Sequence, residues 1–243
     1  MNTRFSPSLN GSLHLGHLWM AWLNDAWAKQ TGGRFLLRFD DVAPWCCGED
    51  ISRYGDYAAE GEQLLKAAGI LPDAISFVGS YLVEGKSAAA TSGELPHTRP
   101  TDLPVPIGGK NTWFRLPSYE GWHNVACYPD LVAARVRADI AEEIDTVIRG
   151  EELVPELQLY EYLNSTLGGK PRQMVFLPRL RVRQQGILTT LSKTYGNLQL
   201  RDLYRIAAPD TWVARVKAVG LVDPEAPVSI ENIHPDPVID LDP

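Results

Sequence analysis

The 243-residue sequence contains only three cysteines, and two of them, Cys46 and Cys47, are adjacent. Three cysteines cannot build the disulfide framework of a small secreted protein, so we expect the reducing environment of the cytoplasm. The N-terminal segment lacks the apolar core of a signal peptide, and no window approaches the roughly 18 consecutive apolar residues of a membrane span. With 44% apolar and 22% charged residues, the composition excludes disordered, collagen-like and membrane proteins.

Lysine and arginine are absent after Lys217, although six carboxylates and five prolines lie in that final segment. The formal charge of the chain is −7, and these six carboxylates account for nearly all of it. We expect residues 220–243 to be extended over the surface or partly disordered. The near-neutral remainder can still carry a basic groove for a nucleic acid, for which the candidates are Arg135, Arg137, Arg172, Arg179, Arg181 and Arg183.

A strand, a loop, a helix and a second strand are predicted within the first 40 residues. Residues 3–6 predict a buried strand, and apolar residues recur at helical spacing from Leu15. Gly32-Gly33 is typical of the end of a helix, and the apolar run 35–39 predicts the next strand. Such a βαβ unit favours an α/β fold with a parallel sheet.

Later segments predict further elements and a division of the chain. Proline-rich residues 84–110 have little periodicity and indicate an insertion. Strands are expected at 75–78, 113–116, 131–136, 146–148 and 174–177, helices at 57–68, 151–167 and 199–219, and a turn at 183–186. We expect residues 1–84 and 128–219 to be the two halves of one domain, 85–127 the insertion and 220–243 a tail.

The segment from Asn10 to His17 reads Asn-Gly-Ser-Leu-His-Leu-Gly-His and lies at the predicted turn from strand to helix. A helix N-terminus has free N–H groups and a positive dipole, which suit phosphate. His14 and His17 share one side of the first turn, where both imidazoles can contact a triphosphate. The alternatives are two capping or surface histidines, or a zinc pair, although no further Cys or His lies near in sequence.

A second segment, Leu191-Ser192-Lys193, follows a predicted turn and precedes the last predicted helix. Alone it is uninformative. In order after His14-Leu-Gly-His17, however, it resembles the second of the two signatures of the class I aminoacyl-tRNA synthetases. The resemblance implies a Rossmann-like parallel sheet of the HIGH-type nucleotidyl transferases, with helices on both faces and a small insertion.

Further segments narrow the resemblance to the glutamyl and glutaminyl subgroup. Residues 3–8 look like its opening Arg-x-Ala-Pro-Ser, residues 35–41 like its Leu-Arg-(Ile/Phe)-(Glu/Asp)-Asp, and residues 145–152 like its Val-Ile-Arg-Gly-Glu-Asp. Residues 158–162 and 176–178 follow in the expected order. The matches cover the catalytic half of such an enzyme, so the chain looks like glutamyl-queuosine tRNA(Asp) synthetase and other stand-alone paralogues.

The resemblance implies a ligase that joins an amino acid to AMP, using ATP with Mg²⁺, and then passes the acyl group to an acceptor. His14 and His17 would hold the phosphates, and Lys193 would neutralise charge on the leaving pyrophosphate. These three residues are the expected catalytic residues. The expected ATP site comprises Ser8, His14, Gly16, His17, Glu152, Leu180, Ser192 and Lys193.

The implied amino acid is glutamate, whose side-chain carboxylate a guanidinium can bind in a bidentate way. Arg4 and Arg149 resemble the subgroup's two arginines near that carboxylate, and Asp40 would face the α-ammonium group. Asp41 is expected to be structural, and the tryptophans Trp19, Trp22 and Trp27 to pack in the core. The expected amino acid site comprises Arg4, Ser6, Ser8, Asp40, Tyr128, Leu131, Arg135 and Arg149.

Three of these positions depart from the subgroup's pattern. Leu131 stands where tyrosine is usual, eight residues before Asp139, and Tyr128 lies three residues early. Arg135 stands where a small or amide side chain is common. We therefore expect a remodelled amino acid pocket.

The insertion predicts no zinc site. Relatives that modify queuosine carry zinc on a close cysteine pair there, whereas this insertion offers only Cys127 with His97 and His123. Cys46 and Cys47 follow Asp41 too closely to belong to such a site and are interpreted as buried small side chains. From the length we expect no anticodon-binding domain, and we expect a monomer.

Three functions stay open from the sequence. The first is activation of glutamate and its transfer to a modified nucleoside in tRNA or another nucleic acid, with a modified DNA base or a small-molecule amine as further acceptors. The second is a non-catalytic regulatory paralogue, and the third is a nucleotidyl transferase with another acid or a phosphate ester as nucleophile. The set His14, His17 and Lys193 speaks against the second, and the amino acid pocket against the third.

Overall fold

A computed structural model of the protein describes residues 1–41, 54–81, 128–191 and 198–241. Two short 3₁₀ segments, Val78–Tyr81 and Glu151–Glu156, follow the third and fourth strands. No helix in these four ranges is long and apolar enough to cross a membrane. The elements in chain order are β1 (Thr3–Phe5), α1 (Leu15–Thr31), β2 (Phe35–Phe39), α2 (Tyr54–Ala67), β3 (Ala74–Phe77), α3 (Tyr128–Ala141), β4 (Thr146–Gly150), α4 (Leu157–Thr166), β5 (Gln173–Leu177), β6 (Arg181–Gln184), β7 (Ile187–Thr190), α5 (Leu200–Ile206), α6 (Pro209–Gly220) and β8 (Val238–Asp240).

The first five strands form one parallel sheet in the order β3-β2-β1-β4-β5. Thr3 of β1 pairs with Phe35 on one side and with Thr146 on the other. The direction of winding therefore reverses between β1 and β4. In open α/β sheets this reversal leaves a crevice beyond the carboxyl ends of the two strands, where ligands bind. The predicted α/β class with a parallel sheet is confirmed.

Helices cover both faces of the sheet. Successive side chains of a strand point to opposite faces, so each strand packs against helices on both sides. Leu37 and Ile148 pack in a core with residues of α1 and α2. Their neighbours Leu36 and Val147 pack in a second core with residues of α3 and α4. This arrangement confirms the prediction of helices on both faces.

Helix α1 begins and ends as its sequence predicts. His14 is the N-cap, in an extended conformation, and Gly32 ends the helix in the left-handed region with a φ of 66°. Trp19 and Trp27 are buried in the first core, and Trp22 packs against it partly buried. The three tryptophans are packing residues, as expected.

The prediction of a strand at residues 131–136 is wrong, because these residues lie in α3. Val132 and Val136 are four residues apart and pack together into the second core, as residues on one face of a helix do. A short apolar run does not by itself distinguish a buried strand from a buried helix.

Two other predicted helices are interrupted. The segment predicted as one helix at 151–167 starts with a 3₁₀ segment before α4, and residues 199–219 form α5 and α6. Pro209 starts α6, because a proline suits the first turn of a helix, where no N–H partner is needed. The predicted turn at 183–186 overlaps the hairpin of β6 and β7, in which Gln185 and Gly186 both have positive φ.

The acidic tail is folded through residue 241, so the expectation of partial disorder is wrong for that part. Strand β8 adds to β6 in parallel, which completes a three-stranded sheet in the order β7-β6-β8. Ile239 of β8 and Val228 are buried. The side chain of Gln30 in α1 also holds both backbone polar groups of Val228. The tail therefore packs against the body of the protein.

Several predictions fall outside the described residues. They concern the strand at 113–116, the insertion at 85–127 and the side chains of Cys46 and Cys47.

Candidate active site

Two adjoining cavities lie beyond the carboxyl ends of β1 and β4, in the crevice that the strand order predicts. The larger has a volume of about 450 Å³ and the smaller about 200 Å³. His17, Met20, Gly150 and Glu152 line both of them. Ligands in the two cavities would therefore meet at this shared boundary.

His14 and His17 cap the start of α1 with one nitrogen of each ring. Nδ1 of His14 accepts a hydrogen bond from the backbone N–H of Gly16 at 3.1 Å, and Nδ1 of His17 accepts from the backbone N–H of His14 at 3.0 Å. The two ring centroids lie 3.7 Å apart. A nitrogen that accepts a hydrogen bond carries no proton, so Nε2 carries the N–H of each ring. The capping interpretation is thus correct, and it leaves each ring a donor on the opposite nitrogen.

Both histidines also line the larger cavity. A cavity at the N-terminus of a 17-residue helix, with two imidazole donors in its wall, suits a negatively charged phosphate chain. Gly16 leaves room for this arrangement, because a Cβ atom there would lie only 3.1 Å from Cε1 of the His14 ring.

The opposite wall of the larger cavity comes from the ends of β4 and β5. Glu152 follows β4, and its carboxylate lies directly against the backbone of Gly150. Pro178, Arg179 and Leu180 follow β5. The sequence resemblance assigned Glu152 and Leu180 to adenosine, and the structure brings them to the same cavity as the histidines.

Thr190 and Leu191 complete the wall, with a Leu191 methyl group 3.8 Å from where a Gly16 Cβ would lie. Ser192 and Lys193 come next in the chain but lie outside the described residues. Their predicted roles therefore stay predictions.

Three arginines line the smaller cavity, and a carboxylate anchors each of them. Arg4 Nε donates to Asp139 at 3.1 Å, and Arg149 Nη2 donates to Glu156 at 2.8 Å. Arg4 and Arg149 have side chains only 6% exposed. Anchoring fixes both guanidinium groups at the cavity, as recognition of a substrate carboxylate requires.

The third arginine, Arg135, binds Asp40 directly. Its Nε and Nη2 donate to one carboxylate oxygen of Asp40 at 2.9 and 2.5 Å, and its Nη1 lies 3.5 Å from Glu156. The sequence predicted that Asp40 faces a substrate ammonium. In the structure Asp40 already faces a cation of the protein itself.

The serines of the first loop belong to the smaller cavity as well. Ser8 pairs with Asp40 through the backbone, beyond the ends of β1 and β2. Ser6 Oγ is buried, as is Nε of Arg149, and neither has a hydrogen-bond partner among the described residues. Buried polar atoms of this kind are ordinarily satisfied by protein, water or ligand, and both residues line the smaller cavity.

A buried ion network lies behind the arginines. Asp139 of α3 accepts from Arg4, from Arg38 of β2 and from the hydroxyl of Tyr160 at 2.6 Å. Burial favours the protonated carboxyl, but the positive charges of Arg38 and Arg4 outweigh it and hold the pKa of Asp139 far below its usual range. Asp139 is therefore ionised at any physiological pH.

Sequence reasoning missed Glu156 as the anchor of Arg149 and did not assign Asp139 a role. No local pattern reveals Asp139, because it is 135 residues from Arg4. Glu156 is only seven residues from Arg149, but the segment between them is a 3₁₀ helix where the sequence predicted an α-helix. Tyr128 and Leu131 lie in the first turn of α3, but their side chains lie outside the described part of the structure. Asp41 is structural as expected, since it accepts the backbone N–H of Gly79 at 2.7 Å.

The arginines proposed for a basic groove are divided between different surroundings. Arg181 pairs with Asp236, and Arg183 Nη1 lies 3.2 Å from Asp240, so the acidic tail neutralises both. Arg135 and Arg179 line the cavities. The basic groove for a nucleic acid therefore stays a prediction, and the structure places its candidate arginines in different surroundings.

The described ranges contain no cluster of three or more His, Cys, Asp and Glu side chains that could hold a metal ion. His14 and His17 therefore have no third ligand there to complete a zinc site. The residues on which the zinc prediction for the insertion rests, His97, His123 and Cys127, lie outside those ranges.

Comparison with known proteins supports the resemblance that the sequence motifs indicated. The family model of the catalytic domain of class I tRNA synthetases (E and Q) matches residues 1–49. A glutamate–tRNA ligase 2 of Sphingopyxis alaskensis is 30% identical, over 94% of this chain and 62% of that protein. A glutamyl-Q tRNA(Asp) synthetase of Rhodobacter capsulatus is 26% identical, over 69% of this chain and 83% of that protein. The chain thus spans under two thirds of the first relative.

Solved structures show the same fold. The crystal structure of a glutamate tRNA ligase from Elizabethkingia meningosepticum in complex with its amino acid superposes with a TM-score of 0.62, at 16% identity, over 100% of this chain and 67% of that one. A glutamate–tRNA synthetase from Elizabethkingia anophelis gives 0.60 over 100% and 68%. These matches confirm the fold that the resemblance implied.

Proposed function

We infer that this chain, a relative of the class I glutamyl- and glutaminyl-tRNA synthetases, activates glutamate with ATP and passes the glutamyl group to a nucleic-acid acceptor. A modified nucleoside in tRNA is the acceptor we propose. The observation that carries the proposal is the pair of cavities that share His17 and Gly150. One cavity suits a nucleoside triphosphate and the other a small dicarboxylate.

The first step joins the two substrates at the shared boundary. An α-carboxylate oxygen of glutamate attacks the α-phosphorus of ATP, the bond between that phosphorus and the α,β-bridging oxygen breaks, and pyrophosphate leaves. Glutamyl-adenylate remains bound. Mg²⁺ enters with ATP as part of the substrate and offsets the phosphate charge.

His14 and His17 stabilise the phosphates in this step. Their Nδ1 atoms are held by backbone N–H groups, so the rings are oriented before the substrate binds and their Nε2–H donors need no reorganisation. Oriented donors of this kind contribute about 10²- to 10³-fold to rate when they meet developing charge. Lys193 adds a positive charge for the leaving pyrophosphate, as the sequence signature implies.

The second step transfers the glutamyl group. A nucleophilic oxygen or nitrogen of the acceptor attacks the acyl carbon of glutamyl-adenylate, the bond from the acyl carbon to the phosphate oxygen breaks, and AMP leaves with that oxygen. The proton of the nucleophile passes to solvent or to the phosphate of AMP. The proposal of a modified nucleoside rests on the likeness to the glutamyl-Q tRNA(Asp) synthetase.

Glutamate is the proposed amino acid because of the smaller cavity. Arg4 and Arg149 are buried and anchored there by carboxylates, and both line the cavity together with Ser6. A side-chain carboxylate accepts hydrogen bonds from guanidinium groups, whereas an apolar side chain accepts none.

Labelled glutamate tests the transfer. The purified chain is incubated with radioactive glutamate, MgATP and one of three acceptor pools: total tRNA, genomic DNA, or small amines. We expect the label to enter the tRNA pool. Mild alkaline treatment hydrolyses ordinary aminoacyl esters, so label that persists after it shows that the linkage differs from such an ester. Absence of label from all three pools would contradict the proposal, and label confined to DNA or to an amine would replace the acceptor.

A further inference from the structure

Among the three arginines that line the smaller cavity, Arg135 donates to Asp40, the carboxylate expected to face the α-ammonium group of the substrate. Arg4 and Arg149 are anchored by Asp139 and Glu156. Arg135, in contrast, donates twice to Asp40, a lining residue of the same cavity. The guanidinium of Arg135 therefore occupies the position opposite Asp40 that an α-ammonium group would take.

We propose that Arg135 determines specificity by an exchange of ion pairs: the α-ammonium of the substrate takes Asp40 from Arg135, and the released guanidinium binds the side-chain carboxylate of the same substrate. This inference rests on the proposed function and names the substrate class of its pocket, an amino acid with an acidic side chain.

The exchange selects for an acidic side chain because of what happens to Arg135. With glutamate, the ion pair between Arg135 and Asp40 is replaced by two pairs to the substrate. With glutamine, Arg135 loses Asp40 and gains no carboxylate of the substrate. For a guanidinium whose side chain is only 17% exposed, losing the two hydrogen bonds to Asp40 without a replacement carboxylate is costly.

Arg135 is also the arginine best placed to move. Its side chain is 17% exposed against 6% for Arg4 and 6% for Arg149. Its contact to Glu156 is long, at 3.5 Å between Nη1 and Oε2, whereas Arg149 holds the same oxygen at 2.8 Å. Of the two carboxylates, Asp40 and Glu156, Arg135 therefore holds Asp40 more closely.

The test compares glutamate with glutamine in three variants. Arg135→Gln removes the guanidinium, Arg135→Lys keeps a positive charge, and Arg34→Gln is the matched control. Arg34 lies just before the amino end of β2, away from the cavities, with its side chain 53% exposed. ATP–pyrophosphate exchange gives kcat and KM for each amino acid, and thermal unfolding checks that each variant folds.

We expect Arg135→Gln to lower the glutamate-to-glutamine ratio of kcat/KM at least tenfold, which corresponds to about 1.4 kcal/mol. The change should come from a higher KM for glutamate. Arg135→Lys should restore part of the ratio, and Arg34→Gln should leave it unchanged. A folded Arg135→Gln variant whose ratio lies within twofold of the unsubstituted protein overturns the inference.

Glutarate tests the exchange of ion pairs itself, because it has two carboxylates but no ammonium to release Arg135. We expect its inhibition constant in ATP–pyrophosphate exchange to be at least tenfold higher than the dissociation constant of glutamate. Inhibition by glutarate that is as strong as glutamate binding shows that Arg135 acts without leaving Asp40, and overturns the exchange.

Equilibrium binding of radiolabelled glutamate and glutamine separates failure of this inference from failure of the proposed function. A protein that binds glutamate at least tenfold more tightly than glutamine, and loses this preference in Arg135→Gln, supports the inference even if no exchange is detected. A protein that catalyses glutamate exchange with an unaltered preference in Arg135→Gln retains its function and contradicts the inference. Binding of neither amino acid overturns both.

Discussion

His17 holds the backbone of His14: Nδ1 of His17 accepts the His14 N–H at 3.0 Å, and the two imidazole centroids lie 3.7 Å apart. His14 in turn caps Gly16. The same two side chains that start α1 therefore line the cavity proposed for ATP. His14 and His17 therefore have two roles, capping α1 and lining this cavity, and substitutions can test each role separately.

Replacing His14 by Asn or by Ala separates its two roles. Asn is among the best N-cap residues, whereas Ala provides no acceptor, so His14→Ala should lose about 1 kcal/mol more stability than His14→Asn. Both should lower kcat for adenylate formation by about 10²- to 10³-fold, because both remove the imidazole donor. Urea unfolding and ATP–pyrophosphate exchange measure the two effects. Near-normal exchange by a folded His14→Asn variant would show that His14 is a cap alone.

Asp139 should make the stability of the protein depend on acid pH. Its folded pKa lies below the unfolded value of about 3.9, so its stabilising charge is fully present above that value and is lost as pH falls through the folded pKa. At pH 7, Asp139→Asn should cost about 3–5 kcal/mol, since Arg4 and Arg38 lose their shared carboxylate.

Urea unfolding from pH 7 to pH 3 measures this dependence. The stability difference between Asp139→Asn and the unsubstituted protein should be constant above about pH 5 and shrink below about pH 4. Glu143→Gln is the control, because the Glu143 side chain is 82% exposed. A difference that does not change down to pH 3 would contradict the assignment of the low pKa to Asp139.

Lys193→Ala should slow adenylate formation by several orders of magnitude and leave amino acid binding nearly unchanged. The reason is that Lys193 is expected to meet charge that develops only as pyrophosphate leaves. Pre-steady-state formation of adenylate gives the rate, and equilibrium binding of glutamate gives the affinity. Equal losses in rate and affinity would refute a role confined to the transition state.

The folded tail should contribute to stability. Ile239→Ala removes a side chain from a residue that is only 2% exposed and should cost about 2–4 kcal/mol. Ile230 lies in the same tail at 47% exposure, so Ile230→Ala should change stability by less than about 0.5 kcal/mol. Thermal and urea unfolding measure both. Equal effects of the two substitutions would mean that β8 is not packed as described.

Much of the fold could be predicted, because the first 40 residues contain strong local signals. The helical spacing after Leu15, the glycine pair that ends α1 and the apolar run of β2 each determine structure within a few residues. The strand predicted at 131–136 was wrong for the opposite reason. Its apolar run contains no signal that distinguishes a helix in a core from a strand in a sheet, and the packing of α3 against α4 decides it.

In the candidate site, too, some residues could be predicted from the sequence and others could not. His14, Gly16, Glu152 and Leu180 could be placed in one cavity because sequence signatures name them, and the βαβ order brings strand ends together. The ion partners could not be predicted. Asp40 meets Arg135 across 95 residues, and the geometry of α3 fixes which side chains meet. Charged residues have many eligible partners in a sequence, and only the fold selects among them.

The central claim is that the two cavities join glutamate to ATP, and ATP–pyrophosphate exchange tests it most directly. The purified chain is incubated with ATP, Mg²⁺ and radioactive pyrophosphate, without nucleic acid, and each of the 20 amino acids is added separately. We predict that label enters ATP with glutamate and at least tenfold more slowly with every other amino acid. No exchange with any amino acid, from a folded protein, would contradict the account.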